Sequence, residues 1–147
     1  MALSHLRTAL ATRIKTVANV GVVNDWEPYT TRDEDFAAFF KSGALLRGWT
    51  ITRESTREDH LTMKDDWSAH LMVIRGYQGV DNDAASEKTF QDLVELVRAA
   101  LRLEQTARLS GYANRVQHPQ VRILEPRLFA GVFVHYVEIS LIVEEAL

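Results

Sequence analysis

The sequence predicts an α+β domain: a mainly antiparallel sheet of four to five strands with two helices packed on one face. Three observations carry this reading. Apolar residues recur at helical spacing in two stretches, 3–17 and 90–101. From Val132 to Val143 they recur at every second position, which is the period of a strand. The strand-like segments come in neighbouring pairs joined by loops, which favours antiparallel pairing.

The first helix rests on Leu3, Leu6, Leu10, Ile14 and Val17, with Arg7, Thr8, Arg13 and Lys15 between them. Gly21 is the expected stop. Val20, Val22 and Val23 then form a short β-segment, broken by Asn24, Asp25 and Pro28. Between residues 33 and 43, Phe36, Phe39 and Phe40 fit one side of a helical turn, and Gly43 closes it. Leu45 to Arg53 is a strand with Trp49 and Ile51 on one face and Thr50 and Thr52 on the other.

Glu54 to Asp66 is a charged stretch, expected as a long loop between two strands. Trp67 to Tyr77 is the next strand. Its unbroken run Leu71 to Ile74 indicates cover on both faces there, and Gly76 and Gly79 are expected to end it. After a turn at Asp81-Asn82-Asp83, Asp83 or Ser86 caps the second helix. Its stripe is Phe90, Leu93, Val94, Val97 and Leu101, with Glu87, Gln91, Glu95 and Arg98 outward, and it fades near Ser110-Gly111. Val121 to Leu124 is a short strand closed by Pro126. The last strand, Val132 to Val143, turns Phe133, His135, Val137, Ile139, Leu141 and Val143 to a buried face. It leaves Tyr136, Glu138, Ser140 and Glu144 on a polar one.

Composition bounds the function. The 147 residues suit a single domain spanning 1–147, and 46% apolar with 25% charged residues is ordinary for a chain that builds a core. No cysteine is present, which excludes disulfides, thiolate metal sites and a cysteine nucleophile. A formal net charge of −3 argues against sequence-independent nucleic-acid binding. No signal-like segment and no run of about 20 apolar residues is visible, so a cytosolic product with no membrane partner is expected.

Catalytic signatures are missing. No G-x-S-x-G, P-loop, G-x-G-x-x-G or H-E-x-x-H motif occurs. His70 and His135 lie in strands, and Glu138 falls three residues after His135. Residues at that spacing in a strand point to opposite faces, so they do not share a site. His70 is expected as a hydrogen-bonded sheet residue. The carboxylate pairs Asp65 with Asp66 and Asp81 with Asp83 suit turns better than acid–base work. The expectation is therefore no enzyme, no catalytic residue, no metal and no cofactor. Subunit contacts are expected from the charged loop, through Arg57, Glu58, Asp59, Lys64, Asp65 and Asp66, and from the aromatic pair Phe39 and Phe40.

The order and texture of the chain resemble the tail terminator, or tail-completion, proteins of long-tailed bacteriophages. The likeness runs over most of the chain. It begins with the amphipathic helix and the valine-rich segment Val22-Val23-Asn24-Asp25-Trp26-Glu27-Pro28, and continues through Trp67 to Gly76 and the helix Phe90 to Val97. It ends on Gly131 followed by the long strand Val132 to Leu141. The resemblance implies a ring of identical subunits, six by analogy, at the head-proximal end of the tail tube. Such a ring ends tube polymerisation and meets the head–tail connector, while DNA passes through its lumen without being read. It also implies a virion location after assembly in the host cytoplasm, and no catalytic residues. Two other expectations stand beside it. One is a different neck component, a head-closure or adaptor protein. The other is a small metal-dependent hydrolase using His70, His135 and a carboxylate.

Overall fold

A computed structural model gives the fold and describes residues 3–26, 41–42, 45–60, 66–81, 85–102, 114–116, 119–129 and 132–146. The elements in chain order are helix α1 (Leu3–Lys15), strands β1 (Val22–Asn24), β2 (Lys41–Ser42), β3 (Leu45–His60) and β4 (Asp66–Gly79), helix α2 (Ser86–Leu101), and strands β5 (Asn114–Val116), β6 (Gln120–Phe129) and β7 (Val132–Ala146). The sheet runs β1-β3-β4-β7-β6, with β5 beside the far end of β7 and β2 beside the start of β3. The β1–β3 pair is parallel and the other pairs are antiparallel. The class is the expected α+β one.

Both helices pack on one face. Leu6, Leu10 and Ile14 of α1 and Phe90, Leu93, Val94, Val97 and Leu101 of α2 form one buried cluster. They meet Trp49, Ile51, Met72, Ile74, Val137, Ile139, Leu141 and Val143 from the sheet. Register explains the selection. Ile51 pairs with Ile74 and Ile74 with Ile139, so these side chains stand in one row across three strands. Trp49 centres the core: its indole stacks near Phe90 at 6.4 Å between ring centroids, and its Nε1–H donates to the Val20 carbonyl at 3.0 Å.

Two glycines follow from close approach. Gly21 has φ +93°, and a Cβ there would lie 2.5 Å from the Arg47 carbonyl oxygen. Gly76 pairs with Trp49, whose ring would lie 2.5 Å from an added Cβ. Gly76 thus makes room for the indole in mid-strand. It does not end β4, which continues through Gly79.

Several expected boundaries move. The charged stretch after Arg53 is strand, not loop. The β3–β4 ladder continues as Ser55↔Leu71, Thr56↔His70, Arg57↔Ala69, Glu58↔Ser68, Asp59↔Trp67 and His60↔Asp66. The sheet does not thin out here, since β7 pairs with β4 along the same rungs as far as Ala146 and β5 lies beyond β7. Backbone pairing holds this end of the β3–β4 hairpin, the arm, and tolerates charged side chains on β3, so charge alone does not mark a loop. β6 passes through Pro126, which pairs with His135. It lies outermost, where a missing N–H costs no ladder bond. α2 ends at Leu101, well before Ser110. Ser86 is its first residue, after Ala85 at φ 52°, and no side chain caps it.

The outer face of β7 is not the solvated face that its composition suggests. Val134, Tyr136 and Glu138 are buried there, as are Val73 and Tyr77 beside them on β4. The run Leu71 to Ile74 signalled this double cover. Phe36, Phe39, Phe40, Lys64 and Asp65 lie outside the described residues.

Candidate functional site

The site that stands out is an uncovered edge on the helix side of the sheet. Register places Val121 opposite Ile139, Leu124 opposite Val137, Pro126 opposite His135 and Leu128 opposite Phe133. Ile139 and Val137 face the helices, so the whole row does. α2 lies over β4 and β7 and leaves β6 bare. Leu128 is 68% exposed, Phe133 53%, Leu124 41% and Val121 37%. A cleft of about 230 Å³ runs between α2 and this edge, lined by Phe90, Gln91 and Glu87 on one side and Leu124, Glu125 and Pro126 on the other, with His135 on its floor.

His135 is held firmly. Its Nε2 lies 2.8 Å from Ser86 Oγ, which also accepts the Asp81 N–H at 2.8 Å, and its ring stacks on Phe90 at 5.7 Å. Ser86 is therefore occupied in tying the start of α2 to β7. His70 has its Nδ1 2.9 Å from Thr56 Oγ1, as a sheet histidine should. The two histidines sit on one face but eight rungs apart, roughly 26 Å along the strands. Glu138 faces the other way. Among the described residues no three His, Asp or Glu side chains converge as a metal set.

On the face away from the helices lies an ionic network. Glu138, buried, sits 3.7 Å from Arg75 and 3.8 Å from Arg122, and Arg122 reaches Glu54 at 2.7 Å. Arg122 and Glu54 come from β6 and β3, three ladder spacings or about 14 Å apart, so their side chains lie nearly extended across the sheet. The Arg122 guanidinium is held above its ordinary pKa, chiefly by the hydrogen bond to Glu54. Arg127 pairs with Glu125 at 2.7 Å and lies over the Tyr136 ring at 4.6 Å. Burial, and then the charge of Glu138, push the Tyr136 phenol up to about 12. Charges here are matched and the network ties β3, β4, β7 and β6 together.

The expected interface residues divide. Arg57 and Glu58 are exposed on the arm, and Arg57 lines a shallow groove of about 380 Å³ with Ser55, Thr56, Ala69, Leu71, Ile142 and Glu144. Asp59 and Asp66 are on neighbouring rungs of the same arm. Lys64, Asp65, Phe39 and Phe40 lie outside the described residues. The apolar edge was missed. Pro126 among apolar residues signals an outermost strand, but not that the face of that strand is left uncovered.

No protein-family model matches the chain, and no curated protein matches it.

Proposed function

We propose that this chain is a structural subunit that assembles with copies of itself into a ring, and that the ring closes the head-proximal end of a phage tail tube. The uncovered edge carries the first part. Val121, Leu124 and Leu128 of β6 and Phe133 of β7, exposed on one face beside a cleft of mixed lining, form a surface of the kind that monomers rarely leave bare and that subunit contacts cover. In this reading the row meets a different surface of the next copy, a head-to-tail contact of the kind that closes into rings. The second part rests on the resemblance of the sequence to tail terminators. In that setting the tail tube and the head–tail connector are the partners, DNA passes through the lumen, and the chain ends up in the virion.

The β3–β4 arm is the second element of this reading: Arg57 and Glu58 are exposed there, where they would meet a neighbour or the tube. Its mixed charge suits selection of a partner more than strong affinity. The test is tail assembly with the tube protein of the same genome. Tubes grown with the chain should be uniform in length and carry a ring at one end. Tubes of uncontrolled length without a ring reject the tail role. A ring that binds the connector but not the tube assigns the chain to head closure instead.

A further inference from the structure

We infer that two copies of this chain pair through the open edges of their β3 strands, antiparallel, about a two-fold axis at Thr56. The inference does not rest on the ring reading, whose apolar contact lies on the opposite edge of the sheet; if it holds, Arg57 and Glu58 meet a second copy and not the tube. On that edge β2 pairs with Leu45 and Leu46, and β1 with Gly48 to Thr50. From Ile51 to His60 no strand pairs with β3 on this side among the described residues, while β4 fills the other side throughout. Among the described residues, this ten-residue stretch thus presents one row of backbone N–H and C=O groups outward, a template for another strand.

The side chains decide which strand. Arg53, Glu54, Ser55, Thr56, Arg57 and Glu58 are all exposed. The ladder to β4 slips between Arg53 and Ser55, so Glu54 is an extra residue in a bulge. Counting rungs, Arg53 lies opposite Met72, Ser55 opposite Leu71, Thr56 opposite His70, Arg57 opposite Ala69 and Glu58 opposite Ser68. Arg53 and Glu58 are therefore each two rungs from Thr56, one on either side. Met72 and Ser68 are four residues apart, so Arg53 and Glu58 share a face. Without the bulge the spacing about Thr56 would be unequal and the faces would not match.

A second β3 strand turned about Thr56 consequently sets Arg53 against the Glu58 of the second copy, and Glu58 against its Arg53. Ser55 meets Arg57 in the same way, and Thr56 meets itself. Opposite charges directly across an antiparallel ladder attract, and like charges repel. Charged side chains and bulges guard many strand edges, most effectively where charges of one sign also repel a copy of the edge. This edge carries charges that a copy of itself complements. The other outermost strand, β6, has Pro126 in its middle and is unsuited to strand addition. An isologous contact of this kind closes at two copies.

The experiment uses the full chain carrying Leu128→Asp, so that the apolar edge does not contribute, and reads mass by sedimentation velocity over a concentration series. The parent should be a concentration-dependent dimer. Arg53→Glu sets Glu against Glu twice, and Glu58→Arg sets Arg against Arg twice. Each should raise the dimer dissociation constant about tenfold or more. An equimolar mixture of the two variants restores both attractive pairs and should regain the dimer, as should the double variant. Recovery on mixing also shows that each variant is folded. A parent that stays monomeric overturns the inference. So does a mixture no tighter than either variant alone, or a set of variants with the parent's dissociation constant.

Discussion

Gly76 is the residue on which the core most visibly depends. Trp49 is its cross-strand partner, and the indole occupies the space where a Cβ would stand. Gly76→Ala should destabilise the protein by about 1–3 kcal/mol through overpacking, seen as a fall in Tm. An unchanged Tm would mean that the indole has room to move. Glu138 is the second such residue. It is buried between Arg75 and Arg122, which are themselves partly solvated. Glu138→Gln should cost about 1–3 kcal/mol in urea unfolding, less than for a fully buried pair because water screens the arginines. Tyr136 carries a pH signature. Its phenol is raised from 10.0 to about 12 in the folded chain, so the unfolded chain loses this proton first. The contribution is full below pH 10 and is lost as pH rises from 10.0 to about 12. In a spectroscopic titration of phenolate absorbance, Tyr136 should ionise about two pH units late, and Tyr136→Phe should remove that step.

At the scale of elements, α2 is the part most legible in the sequence. The stripe Phe90, Leu93, Val94, Val97, Leu101 is the buried stripe of the structure, because helical period and burial report the same geometry. Leu101→Ala should cost about 2–5 kcal/mol, and loss of less than 1 kcal/mol would remove that end of α2 from the core. The odd-numbered face of β7 was legible from Val137 to Val143, but Phe133, expected on the buried face, is 53% exposed, and His135 is half-buried. The arm was not legible. Glu54 to His60 alternates neither apolar with polar nor small with large, since β3 is exposed from Arg53 to Glu58 while the buried side chains of these rungs, Ser68 and His70, stand on β4, and pairing there is written in the backbone. The buried outer face of β7 was hidden for a different reason: Tyr136 and Glu138 are polar, and their burial depends on Arg75, Arg122 and Arg127, which come from other strands. Pro126 misled in the same way, as a strand terminator that is harmless on an outermost strand. Of the site, Arg57 and Glu58 were legible as exposed charge. The apolar edge depends on where α2 stops covering the sheet, which no local pattern of β6 records.

The whole molecule is asymmetric in how it finishes its sheet. One outer strand, β6, is apolar on the helix side and blocked by proline along its backbone. The other, β3 beyond Ile51, is polar in its side chains and, among the described residues, open along its backbone. The first edge suits a side-chain contact with a different surface, and the second suits strand pairing. Assembly through the apolar edge is the claim on which the functional reading stands. Electron microscopy of tail tubes grown with the normal chain and with Leu128→Asp tests it most directly, with circular dichroism confirming that both fold. The normal chain should give tubes of uniform length with a ring at one end, and Leu128→Asp should give long tubes without rings. Equal capping by folded Leu128→Asp would contradict the account.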